Sequence, residues 1–169
     1  MGMLKSLKLM HNSSASTPPI LLEWKKATAL HTLHIHMYMV LPIQCSRFIK
    51  DLILEGCTSP DRLTGDGGLS CILPFFNVER LVLILIVAIK TRDTIEVVKL
   101  TSLMLCISIL SLTSFGSYLH ELSLPHLHSF ALMYLGTYIG NAVDHKPIVP
   151  FIHRCASLLQ DLIFDKLPL

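Results

Sequence analysis

The hydrophobic pattern is densest between Leu100 and Val143. Leu100–Leu119 and Leu122–Val143 are two runs without Lys, Arg, Asp or Glu, separated by His120 and Glu121. A helix rises about 1.5 Å per residue, so roughly 20 apolar residues match the hydrocarbon thickness of a bilayer. The pattern predicts two hydrophobic helices folded back on each other. In the first, Thr101, Ser108 and Ser111 group hydroxyls towards one face. In the second, Gly136-Thr137-Tyr138-Ile139-Gly140 is a GxxxG sequence, so Gly136 and Gly140 are helix-packing candidates.

The rest of the chain is more broken. Ile20–Leu41 reads as a helix ended by Pro42. Ser46–Glu55 reads as a short amphipathic piece with Phe48, Ile49, Leu52 and Ile53 on one face. Leu81–Ile89 is too short to cross a bilayer and suits a buried helix or a β-strand. Pro150–Leu167 reads as an amphipathic helix whose stripe is Phe151, Ile152, Cys155, Leu158, Leu159, Leu162 and Ile163. The expected fold class is therefore mainly α: a helical hairpin of two hydrophobic helices, shorter amphipathic helices and a flexible N-terminal region. Turn-forming residues mark the divisions. They give a disordered segment at 1–19, a short helical region at 20–55, a Gly/Pro/Ser linker at 56–70 and a hydrophobic helical region at 71–169.

Composition strengthens the membrane expectation. Hydrophobic residues make up 51% and charged residues 15%, with a mean hydropathy of +0.57. An ordinary soluble domain has about 25% charged residues. The net charge of +2 is scattered, which argues against nucleic acid as a partner. Five cysteines, an odd number with none close to another, suggest neither a disulfide framework nor a CxxC site.

Candidate chemistry is thin. His31, His34 and His36 form the densest histidine group, but no single regular structure aligns all three, and no carboxylate or cysteine is near in sequence. No metal site is assigned, because zinc needs three or four ligands. GxSxG, SxxK, P-loop, GxGxxG and HExxH motifs are absent. The expectation is a protein that is not an enzyme, with no catalytic residue, cofactor or small-molecule substrate. Met1-Gly2-Met3-Leu4-Lys5-Ser6 fits the myristoylation pattern and makes Gly2 a lipidation candidate.

The first functional expectation is a small membrane-associated helical protein. It would act through helix–helix contacts with a partner or in a homo-oligomer. Lys90, Arg92, Lys99, Lys146 and Arg154 flank the two runs, which would put both termini in the cytoplasm. The alternative is a cytoplasmic, soluble α-helical interaction module of stacked helix pairs, HEAT-like in spacing, although no repeated motif accompanies that spacing. The last alternative is a reading frame with no selected function.

Overall fold

The computed structural model describes residues 4–10, 29–36, 47–56, 77–84, 95–107, 119, 122–135 and 148–165. Its strands are β1 (Ser6–Met10), β2 (Thr32–His36), β3 (Asp51–Glu55), β4 (Arg80–Ile84), β5 (Ile95–Glu96), β6 (Ser102–Ile107), β7 (Leu122–Ser123), β8 (Ser129–Tyr134) and β9 (Asp161–Asp165). One short helix, α1, spans Val149–Cys155. Seven strands form a single parallel sheet in the order β1-β2-β3-β4-β6-β8-β9, and β5 pairs with β7 in a second, two-stranded sheet.

This corrects the expected mainly α hairpin. The two hydrophobic runs do not form membrane helices where they are described. Leu100–Leu119 contains β6, and Leu122–Val143 contains β7 and β8. Among the described residues, no helix is long and apolar enough to cross a membrane. A stacked helix-pair module is excluded in the same way, because α1 is the one described helix.

The reason for the strands lies in a hexapeptide that recurs seven times. It reads Leu-x-x-Leu-x-Leu, with apolar replacements, at 4–9, 30–35, 49–54, 78–83, 100–105, 127–132 and 159–164. The alternation at its last three positions has period two, so those side chains share one face of a strand. Pairing aligns each copy with the next. Leu33 lies opposite Leu52, Leu52 opposite Leu81, Leu81 opposite Leu103, and Leu103 opposite Phe130. Ile35, Leu54, Leu83, Leu105 and Leu132 form the parallel row beside them. Both rows are buried in a single core, with the first motif residues Leu30, Ile49, Val78, Leu100 and Leu127 beneath them.

Each turn is fastened at the same place. One carbonyl accepts two backbone N–H groups from the following turn. The Lys5 carbonyl takes His31 and Thr32, that of His31 takes Lys50 and Asp51, and that of Lys50 takes Glu79 and Arg80. Glu79, Thr101 and His128 repeat the arrangement towards Thr101/Ser102, His128/Ser129 and Gln160/Asp161. This satisfies the backbone where the chain turns into each strand. At the far end of β3, Gly56 has φ 59° and donates its N–H to the Ile84 carbonyl at 2.8 Å. A left-handed turn there favours glycine because it has no Cβ.

The other side of the core is closed by short elements. Val97, Leu122, Leu124, Phe151 and Cys155 belong to the same buried cluster as the sheet. Phe151 of α1 meets Phe130 edge-on, with ring centroids 5.2 Å apart. The expected helix over Pro150–Leu167 is thus helical only to Cys155, where Phe151 and Cys155 are its buried residues. From Asp161 the chain is a strand. Leu81–Ile89 takes the strand alternative over Arg80–Ile84. Ser46–Glu55 is corrected as well. Leu52 and Leu54 point inward together and Ile53 points the other way, as a strand requires.

Candidate interaction surface

One face of the seven-stranded sheet covers the core, and the other carries the remaining motif positions. Strand register arranges that outer face into three rows. The first holds Ser6, Thr32, Asp51, Arg80, Ser102, Ser129 and Asp161. The second continues from Lys8 and His34 into Ile53, Val82, Met104, Ala131 and Ile163. The third holds Met10, His36, Glu55, Ile84, Cys106, Met133 and Asp165. Most of these side chains from β2 to β8 are half-buried by their neighbours along the row.

The polar rows are cross-linked. Arg80 makes a two-pronged contact to Asp51, Nε to Oδ1 at 2.5 Å and Nη2 to Oδ2 at 2.8 Å. Thr32 Oγ1 donates to Asp51 Oδ2 at 3.2 Å. The hydrogen bond from Arg80 holds the Asp51 carboxyl below the usual carboxylate range, against an opposing push from partial burial. Beside it, Lys50 Nζ donates to Glu79 Oε1 at 2.8 Å, and that contact raises the Lys50 ammonium. Lys50 and Glu79 are exposed at the bend before their strands, where such pairs contribute little to stability.

At the N-terminal end of the face, two imidazoles converge on one carboxylate. His34 Nε2 lies 3.0 Å from Glu55 Oε2, and His36 Nε2 lies 3.8 Å from Glu55 Oε1. His36 Nδ1 is buried and has no hydrogen-bond partner among the described atoms. His31 sits apart, with Nδ1 3.3 Å from the Phe48 carbonyl. The structure therefore unites His34 and His36 and leaves out His31, as a shared strand face demands. Glu55, absent from the sequence neighbourhood of these histidines, arrives from the next turn. Among the described residues, no group of three His, Cys, Asp or Glu is placed to hold a metal ion. Gly2, Gly136 and Gly140 lie outside the described residues.

The described thiols are buried structural groups. Burial pushes the Cys106 and Cys155 thiols up, with Arg154 partly opposing this at Cys155. A raised thiol is a poor nucleophile at neutral pH. Burial also pushes the Tyr134 phenol up to about 12. A shallow depression of about 520 Å3 opens where the chain enters β4, β6 and β8, lined by Glu79, Val98, Lys99, Thr101, His126 and His128. Its polar groups belong to the bends between turns, and Lys99 is already bonded to Asn77 Oδ1 at 2.7 Å.

The arrangement defines a class: a coil with one strand per turn and a continuous, laterally ordered outer face. No protein-family model, curated protein or solved structure matches the chain.

Proposed function

We propose that the chain is a solenoid of the leucine-rich-repeat kind that serves as a binding scaffold, not an enzyme, and presents its outer sheet face to a protein partner. The support is architectural. Leu-x-x-Leu-x-Leu on a short parallel strand, one per turn, is the strand segment of such coils. The longer pattern places Asn or Cys three residues after the last leucine; here Asn12 and Cys57 follow it, and the other five copies depart from it. Solenoids of this type use their extended sheet face for recognition.

The observation that carries the reading is the row Ile53–Val82–Met104–Ala131–Ile163. It is an apolar line across five turns, bordered on one side by the polar row Asp51, Arg80, Ser102, Ser129 and Asp161, and widened on the other by Ile84, Cys106 and Met133 between Glu55 and Asp165. A contiguous apolar strip with a polar rim is how interaction surfaces are built. Neighbouring strands are about 4.8 Å apart, so a partner lying across them meets one side chain of the row per turn.

Photo-crosslinking tests this. A photoreactive amino acid in place of Val82 should capture a discrete partner in cells, and the same group at exposed Val98, off this face, should not. Val82→Glu with Met104→Glu should lose that partner while keeping the circular-dichroism spectrum. Equal capture at both positions, or capture indifferent to the two glutamates, would remove the reading.

A further inference from the structure

The two edges of the seven-stranded sheet are complementary to each other. β9 carries three apolar residues between acids, Asp161-Leu162-Ile163-Phe164-Asp165, and β1 with its lead-in carries bases, Lys5-Ser6-Leu7-Lys8-Leu9-Met10. Leu162 and Phe164 occupy motif positions that are fully buried in the middle turns, yet they are 45% and 38% exposed. At the other edge, the motif residue Leu4 is 54% exposed. Among the described residues, no strand pairs with the outer edge of either β1 or β9.

We propose that β1 of one copy of this chain adds to β9 of another, so that the coil continues from molecule to molecule. The register is set by the rule that holds between every pair of neighbouring turns, motif position to motif position. Leu7 then faces Leu162, Leu9 faces Phe164 and Leu4 faces Leu159. The Gln160 carbonyl receives the N–H groups of Lys5 and Ser6, as the His128 carbonyl receives those of Gln160 and Asp161 within the chain.

Charge selects this partner edge over others. Lys8 falls opposite Ile163 on the outer face, with Asp161 and Asp165 on its two diagonals. A long side chain reaches a diagonal neighbour across parallel strands. The fold already contains one such contact, because His34 lies opposite Ile53 and bonds the diagonal Glu55 at 3.0 Å. Pairing β1 with β1 or β9 with β9 would instead oppose like charges. The β1-to-β9 contact is head-to-tail, so it does not close on itself and builds an open series.

Sedimentation velocity on the full chain should show a size distribution that grows past the dimer with concentration. Lys8→Glu alone, or Asp161→Lys with Asp165→Lys alone, should each weaken association by roughly tenfold or more, since attraction becomes repulsion on both diagonals. Mixing the two variant chains should restore long assemblies, because each supplies the edge the other needs. On the unaltered chain, carbodiimide coupling of mixed isotope-labelled copies should give an inter-copy link from Lys8 to Asp161 or Asp165. A monomer at every concentration, a closed dimer, assembly or aggregation indifferent to both charge reversals, or no inter-copy Lys8 link would overturn the proposal.

Discussion

The middle turns and the last turn use the same hexapeptide with opposite results. Leu54, Leu83, Leu105 and Leu132 sit in one row with exposures of 1% or less, whereas Phe164, next in that row, is 38% exposed. The chemistry of the position has not changed; the number of neighbouring turns has. A middle strand is covered from both sides along the coil, and among the described residues β9 has a neighbour on the β8 side alone. Burial in this sheet is therefore granted by the adjoining strand as much as by the residue itself.

The largest contrast should appear on truncating equivalent residues. Leu54→Ala should cost about 2–5 kcal/mol, the range for a buried leucine that leaves a cavity. Leu162→Ala should cost under about 1 kcal/mol, because much of that side chain is already in water. Urea denaturation of both variants measures the difference, and equal losses would break the comparison. Hydrogen exchange sharpens it without mutation. Amides of β3, β4 and β6 should exchange most slowly and those of β9 fastest, since terminal units open at lower free energy. At concentrations where copies stack, β9 should gain protection.

The smallest effect is a pH dependence in the middle of the outer face. Asp51 has a folded pKa below its ordinary 3.8, chiefly through the Arg80 hydrogen bond. Its contribution is present above that ordinary value and fades as pH falls through the folded one. The Arg80 side chain is 67% exposed, so solvent screening holds the contribution below about 1 kcal/mol. Asp51→Asn should flatten stability below pH 4 by that small amount, as read by denaturation at pH 3 and pH 6.

Parts of this fold were legible in the sequence, and specific residues explain why others were not. Gly56 read as a turn-former, and it follows directly on β3 with a positive φ. The described part of the apolar span at Leu81 takes the strand alternative, in β4. The strands of the second half were hidden because their outer positions are apolar too. Val82, Ile84, Met104, Cys106, Ala131 and Met133 fill the gaps between inward leucines, so the period-two signal becomes a continuous greasy run. The repeat was hidden by its uneven spacing, with Leu33 and Leu52 only 19 residues apart and Phe130 and Leu162 32 apart. A search for Leu-x-x-Leu-x-Leu at any interval would have found it. The Asp51–Arg80 and His34–His36–Glu55 groupings needed the register, since each draws on residues from different turns.

The doubled carbonyl before β1, β2, β3, β4, β6 and β8 has a consequence for how this chain can change over time. Two N–H groups anchored to one oxygen define where a coil begins, irrespective of how much polypeptide precedes it. Segments between successive anchors can then grow or shrink while every ladder stays in step. A molecule assembled on such a pitch tolerates insertions of unequal size, and its outer rows keep their order as the intervening lengths drift.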